Sequence, residues 1–502
     1  MDFYKIEKKD NVAVALRDFQ GGEIVEIDGE KIVVKEPIPP AHKIALKDFN
    51  GGDAVIKYGN IMGFASTKIQ KGNWVHAHNV NVGSEAVQQY EYELQKEGVV
   101  YPASGDVSRE FYGYLRSDGQ VGIRNHLLIL PTVFCANGNV KEFERLANTR
   151  YGKSEIFDGA IALTHPNGCS QTGYDLDITC KILSGMIHNA NFGGVLVVSL
   201  GCEVTDLKQL KLRLGEYDES RVKFLVMQDV EDEYEEALLL IDQLMKEMKK
   251  DKRTPQPISK LHIAMNCGGS DGHSGITANK ITGTLCDRLV AEGATMSMTE
   301  VPEMFGAEHL LMNRCVNEKV FEDLVEMINT YKHYFEKYGE RASDNPTQGN
   351  KAGGLSTLQE KSLGCINKGG SCAVTQVLKY GERATKNGLV LVSGPGNDLA
   401  GISAQIAAGA VLTIFTTGRG TPCGFAGPTF RLSSNTALAK KKPGWIDFDA
   451  GRLLEADTEA KKTALADQLY QMIMDTANGN YRTKTEQRNY YQLAMLRDGV
   501  TL

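Results

Sequence analysis

The chain has 502 residues, 42% of them hydrophobic and 24% charged, with a formal net charge of -7. That length calls for more than one domain, and the composition is that of a globular protein rather than a disordered or fibrous one. The charge contains no basic block, no apolar run approaches the ~20 residues of a membrane helix, and the opening Met1-Asp2-Phe3-Tyr4-Lys5 does not read as a signal peptide. Neither nucleic acid nor a membrane is therefore expected as a partner, and the expected location is cytoplasmic.

Residues 1–95 read as a small β-rich domain. Short apolar runs at Asn11–Leu16, Gly22–Ile27, Lys31–Val34, Lys43–Leu46, Ala54–Tyr58 and Trp74–Ala77 alternate with hairpin signals at Gly21-Gly22, Asp28-Gly29 and Gly51-Gly52. The domain closes on Trp74-Val75-His76-Ala77-His78-Asn79. Residues two apart in a strand share a face, so His76 and His78 can jointly bind a transition metal or offer one acid–base group. A surface pair is the plainer reading, because two ligands do not make a site. Residues 96–110, with Pro102-Ala103-Ser104-Gly105-Asp106, read as a linker.

From 111 to 250 the pattern becomes strand and helix in alternation: strands at Leu127–Val133, Gly159–Thr164, Val195–Leu200 and Arg221–Met227, then an amphipathic helix at Asp229–Lys249. This predicts a mostly parallel sheet covered on both faces, with functional side chains just beyond the carboxyl ends of its strands. His165 and Cys169 follow one strand and Cys202 and Glu203 another.

Residues 251–260, with Pro255 and Pro257, read as a second linker, and 261–502 as a second α/β unit with a helical tail from about 457. Its first strand, Leu261–Met265, runs into Cys267-Gly268-Gly269-Ser270-Asp271-Gly272-His273-Ser274-Gly275 and then a helix near Ile281–Ala291. Glycine-rich backbone at a helix start suits a carboxylate or phosphate, although the spacing matches neither the phosphate loop nor the dinucleotide fingerprint. A tight turn whose Ser270 and Asp271 only cap the helix is the alternative. Later strands at Leu389–Val392 and Val411–Phe415 also end in glycine loops, and Lys351 and Arg419 are cations on small-residue loops, suited to a substrate carboxylate. Ten cysteines are too sparse for a disulfide scaffold. Cys169, Cys202 and Cys267 each follow a strand, and three thiolates can hold a four-iron cluster with one iron open; three small buried residues are the competing reading.

Taken in order, His76-Ala77-His78-Asn79, Gly122-Ile123-Arg124-Asn125, Gly168-Cys169-Ser170, Gly201-Cys202-Glu203, Cys267–Asn279, Pro302–Glu308, Asn350–Gly354 and Thr417-Gly418-Arg419-Gly420-Thr421-Pro422 resemble the altronate and galactarate dehydratase family of sugar-acid hydro-lyases along nearly the whole chain. The resemblance implies an amino-terminal SAF-type domain before the two α/β units. It also implies activation by a divalent metal, iron(II) or manganese, and, by its closer pattern, D-altronate converted to 2-keto-3-deoxy-D-gluconate. His273 and Cys423 depart from that pattern. Dehydrating such an acid removes the C2 proton and expels the C3 hydroxyl, so charge on the carboxylate and on the leaving oxygen must be stabilised. The expected roles are His76 and His78 on the metal, with Cys169, Cys202 and Cys267 as alternative cluster ligands. His165 is the expected base, with Lys351 and Glu203 also catalytic, and Arg124, Arg419 and the Gly268, Gly269, Ser270, Asp271 turn hold the acid. A galactarate dehydratase and a non-catalytic sugar-acid sensor are the competing functions. A homodimer is expected only because soluble enzymes commonly form one.

Overall fold

The computed structural model describes residues 2–83, 86–103 and 109–502. The expected linker at 96–110 lies partly outside them. Among the described residues no helix is long and apolar enough to cross a membrane.

The amino-terminal residues form small antiparallel sheets. Phe3–Tyr4, Val12–Ala15, Lys43–Ala45 and Trp74–Val75 make one sheet, Ala54–Lys57, Asn60–Ala65 and Val80–Asn81 a second, and Ile24–Ile27 pairs with Glu30–Val33 in a hairpin. Asp28-Gly29 turns that hairpin with both residues at positive φ, 52° and 78°, the conformation of the favoured two-residue turn.

The middle unit is a four-stranded parallel sheet in the order Ala160–Ala162, His126–Pro131, Phe192–Ser199, Val222–Val226. Alternate residues of its central strands feed two cores. Leu127, Ile129, Leu196 and Val198 pack with the helices Asn137–Tyr151 and Glu233–Met248. Leu128, Leu130, Val195 and Val197 pack on Gly173–Ile187 and continue into Ile402, Ala404 and Phe415 of the next unit, so the two units share one core.

That next unit is a seven-stranded parallel sheet in the order Val374–Leu378, Gly388–Val392, Thr295–Met298, His262–Cys267, Leu412–Thr417, Thr429–Ser433, Phe448–Asp449. The fold is therefore the expected one, an amino-terminal β-rich domain followed by two parallel α/β units. Two details differ from the sequence reading. Thr254–Pro257, within the second expected linker, pairs antiparallel with Glu110–Leu115, because an edge strand tolerates proline. The tail is helical at Glu459–Ala477, but its last residues run back over the middle unit, where Leu502 N–H donates to the Ser170 carbonyl at 2.9 Å.

Candidate functional site

The carboxyl ends of the central strands of the seven-stranded sheet carry a concentration of titratable groups. The strand His262–Cys267 ends on Cys267, and Thr295–Met298 runs into Glu300, held at φ 68° ahead of the short helix Val301–Met304 that carries Glu303. Cys365 closes the helix Leu358–Cys365. Ligand atoms of Cys267, Glu300, Glu303 and Cys365 all lie within 4.8 Å of one another, and all four residues are buried. Together they are close enough to hold one metal ion.

Lys368 Nζ reaches into the same group, 2.9 Å from Cys365 Sγ, 3.1 Å from Cys267 Sγ and 3.2 Å from a Glu300 carboxylate oxygen. Lys361 donates to Glu303 at 2.7 Å and to Asn345 at 3.0 Å. The hydrogen bond to Cys365, with burial, pushes the Cys267 thiol well up, and burial with Cys267 beside it pushes the Glu300 carboxyl well up. Burial alone would lower Lys368, but the surrounding thiols and Glu300 hold it well above its ordinary value. These shifts follow from crowding acids out of water around one ammonium. The donors suit a divalent ion: two sulfurs and two carboxylates, in a place that already attracts a cation and where Glu300 would otherwise hold a proton. At the mouth of the group Asp398 begins the helix Asp398–Ala407 and accepts from Asn266 Nδ2 at 3.1 Å. Burial, then Glu303, push its carboxyl up to about 7.

The glycine turn lies beside this group. Gly268 sits against the Asp398 carboxylate and Phe415, where a Cβ would collide. Asp271 is buried and organises the turn: it accepts from Ser274 Oγ at 2.9 Å, Ser434 Oγ at 2.7 Å and Asn435 Nδ2 at 3.0 Å. The N–H groups of Gly268, Asp271 and Gly272 donate to Thr416, Ser274 and Gly353, so three N–H groups of the turn are already engaged within the protein. Ser270 differs, for its Oγ is buried without a hydrogen-bond partner, a state that native structures seldom leave unexplained. Asn350 Nδ2 donates to the Ser270 carbonyl at 2.8 Å, and Arg419 N–H to the Gly269 carbonyl at 2.7 Å. The loops that bear Lys351 and Arg419 are thereby fastened to the turn. Lys351 is half-buried and Arg419 exposed.

The amino-terminal domain closes over these loops. A Cβ on either Gly272 or Gly354 would strike the Ala41 carbonyl oxygen, so glycine there permits backbone contact between domains. Next to Ala41, the His42 ring meets Trp74 edge-on and His76 at a tilt, with centroids 5.2 and 4.8 Å away. His76 and His78 do lie near each other, their rings 6.4 Å apart. His76 Nδ1 is buried without a partner, and burial with Lys43 nearby holds that ring down to about 3, so the imidazole is neutral. No third donor joins the pair among the described residues, where the Cys267 group is the one assembly close enough for a single ion. A cleft of about 1550 Å³ opens alongside, lined by Ala41, Asp271, His273, Lys280, Arg419 and Asn435 among others.

The remaining expected residues belong elsewhere. Arg124 is fully buried and clamps Glu486 at 2.6 and 3.1 Å, with further bonds to the carbonyls of Ile123, Thr476 and Tyr481. It anchors the tail and has no donor directed at the cleft. His165 uses both ring nitrogens, Nε2 on the Pro131 carbonyl at 2.7 Å and Nδ1 accepting from Asn167 N–H at 3.2 Å, and burial holds it down to about 4. Without a free lone pair it is not placed to act as a base. Glu203 accepts from Thr132 and Ser199 hydroxyls, both at 2.5 Å, and from the Gly201 N–H at 2.7 Å. It braces its own loop. Cys169 and Cys202 are exposed on the middle sheet, whereas Cys267 is buried in the other, so the three do not form the expected set.

Comparison with known proteins places this arrangement. Residues 1–83 match the altronate/galactarate dehydratase SAF domain, 113–249 the second domain of D-galactarate dehydratase/altronate hydrolase, and 258–501 the D-galactarate/altronate dehydratase carboxyl-terminal domain. The chain belongs to the altronate/galactarate dehydratase family. Among its relatives, an altronate dehydratase of Bacillus subtilis (strain 168) is 44% identical, over 100% of this chain and 99% of the relative. An altronate dehydratase of Escherichia coli (strain K12) is 42% identical over 100% of both chains. A galactarate dehydratase (L-threo-forming) of Escherichia coli (strain K12) is 33% identical over 97% of this chain and 94% of its own. As a member of this family the chain contains groups that sequence reasoning did not assign: Glu300, Glu303, Lys361, Cys365, Lys368 and Asp398. Glu300 and Glu303 had a legible signal, two carboxylates three residues apart directly after a strand.

Proposed function

We propose that this chain dehydrates D-altronate to 2-keto-3-deoxy-D-gluconate with iron(II), or manganese, as its ion. The carrying observation is the identity gradient: 42–44% to two altronate dehydratases against 33% to a galactarate dehydratase, each over nearly the full length. A bound divalent ion supplies Lewis-acid polarisation of substrate oxygens, and Cys267, Glu300, Glu303 and Cys365 are the residues that would hold it.

The protein's own groups account for the rest. Arg419, which lines the cleft, and Lys351, on the loop whose Ala352 and Gly353 line it, hold the substrate carboxylate as charge-assisted donors, and Ser270 Oγ, without a partner in the protein, supplies a neutral donor. Asp398, half-buried at the mouth of the group, takes the C2 proton in place of His165. Lys361 and Lys368 keep positive charge next to the carboxylates while Asp398 passes the proton taken from C2 to the departing C3 hydroxyl, which leaves as water, and the resulting enol becomes the 2-keto acid. Ten free thiols without a disulfide support a reducing compartment such as the cytoplasm. The test is 2-keto-acid formation from D-altronate by protein stripped of metal and then given ferrous ion without oxygen; absence of product after reloading contradicts the reading.

A further inference from the structure

Three free cysteines are exposed, Cys135, Cys169 and Cys202, and all three lie at one edge of the middle sheet. Cys135 follows the strand His126–Pro131. Cys169 and Cys202 follow the strands on either side of it, Ala160–Ala162 and Phe192–Ser199. The three loops are bound to one another. Phe134 N–H donates to the Asn167 carbonyl at 2.9 Å, and Thr205 Oγ1 sits 2.7 Å from the Thr132 carbonyl and 3.0 Å from that of Gly168. A Cβ on Gly168 would collide with Thr132 and Val133, so the backbones touch. Gly168, Ser170 and Gly201 flank two of the cysteines at φ 105°, 56° and 121°. A serine held there costs about 1–2 kcal/mol, and such strain collects where a loop must present a side chain.

The chemistry of the edge is selective. The titratable Glu203 and His165 of these loops are engaged in bracing them, while Ser170 Oγ lies 3.7 Å from the Cys169 sulfur and Gln228 Nε2 donates to that of Cys202 at 3.6 Å. Sulfur is what the loops present. The helices Asn137–Tyr151, Gly173–Ile187 and Leu207–Leu214 start just beyond the three loops. Three soft ligands on three adjoining loops, with no single-ion group formed by them among the described residues, are the ligand type of an iron–sulfur group.

We infer that Cys135, Cys169 and Cys202 bind a [4Fe–4S] cluster through three of its irons, leaving the fourth open to an oxygen of a 2-hydroxy acid or of water. This goes beyond the dehydration reading and exchanges Cys267 of the sequence expectation for Cys135. Loading is a ligand exchange: a preassembled cluster carried by a small thiol loses three of those thiolates, which take the protons of the three cysteines as three new Fe–S bonds form. No electron is transferred.

The full chain is incubated anaerobically with such a thiol-carried cluster, freed of excess, and assayed for iron, acid-labile sulfide and visible absorbance. The expected result is about four irons and four sulfides per chain, falling at least about tenfold in each of Cys135→Ser, Cys169→Ser and Cys202→Ser and unchanged in Cys267→Ser. Thermal melting confirms that each variant is folded, and Cys→Ala versions serve where a serine variant is not. Altronate should also perturb the spin-resonance spectrum of the reduced cluster. Wild-type protein that retains no sulfide, or retains only a single metal ion, overturns the inference. So does a cluster that survives Cys135→Ser and is lost in Cys267→Ser. None of these readouts needs turnover, so they stand apart from failure of the altronate reading.

Discussion

Lys43 of the amino-terminal domain pairs with Glu360 of the large parallel unit at 2.9 Å, with no side-chain surface of either exposed to solvent. Lys57 approaches the other carboxylate oxygen at 2.7 Å, and Ser356 donates to Glu360 through both its N–H and its hydroxyl. Burial pushes Glu360 up, but the two ammonium groups outweigh it and hold the carboxyl well below its ordinary value. This buried triad fixes the domain that covers the cleft.

Glu360→Gln leaves two buried ammonium groups short of a counter-charge and is expected to cost about 3–5 kcal/mol of stability, with looser docking of residues 2–83. The folded state binds the Glu360 proton less readily than the unfolded one does. Its contribution is therefore present above the ordinary carboxylate value of 4.5 and is lost as pH falls below it. Denaturant melts of wild type and variant should converge on acidification; a constant gap would remove Glu360 from the account.

Arg124→Ala should fail as a folding mutant and not as a binding mutant. Breaking its buried pair with Glu486 is expected to lower stability by about 3–5 kcal/mol, while KM for the sugar acid in the surviving folded fraction stays within about twofold. A rise of KM at unchanged stability would return Arg124 to the substrate.

Much of the frame was legible because its causes are local. The helix Glu233–Met248 falls inside the predicted Asp229–Lys249, and the strand Gly388–Val392 starts one residue before its predicted bound. The site was harder to read, because its residues meet only through tertiary contacts. Cys267 and Cys365 are 98 positions apart, and no spacing rule joins them. Arg124 looked like a carboxylate ligand because a guanidinium suits one, and it does hold one, that of Glu486. His165 stood in the right kind of loop, but its carbonyl partner at Pro131 belongs to a neighbouring strand and is invisible in sequence.

Arg419→Ala removes an exposed cation fastened to the glycine turn through its backbone, so the turn should survive. The expectation is a rise in KM of about 10–100-fold, the loss of one charge-assisted contact of about 1.5–3 kcal/mol, with the melting temperature unchanged. Unaltered KM would take the substrate carboxylate elsewhere.

Asp398→Asn keeps the hydrogen-bonding shape beside Asn266 and removes the group assigned to proton transfer. Turnover should fall by about 10²–10⁴-fold, with binding of altronate, read by calorimetry, largely kept. Retention of more than a tenth of wild-type kcat would exclude Asp398 as the base.

The most direct test of the central claim is the anaerobic rate of 2-keto-acid formation from D-altronate and from galactarate, by the same protein before chelation, after it, and after addition of ferrous ion. The account predicts product from altronate that disappears on chelation and returns with iron, with kcat/KM at least about tenfold above that for galactarate, a difference of about 1.4 kcal/mol. Faster turnover of galactarate, or no keto acid from altronate with iron restored, would contradict it.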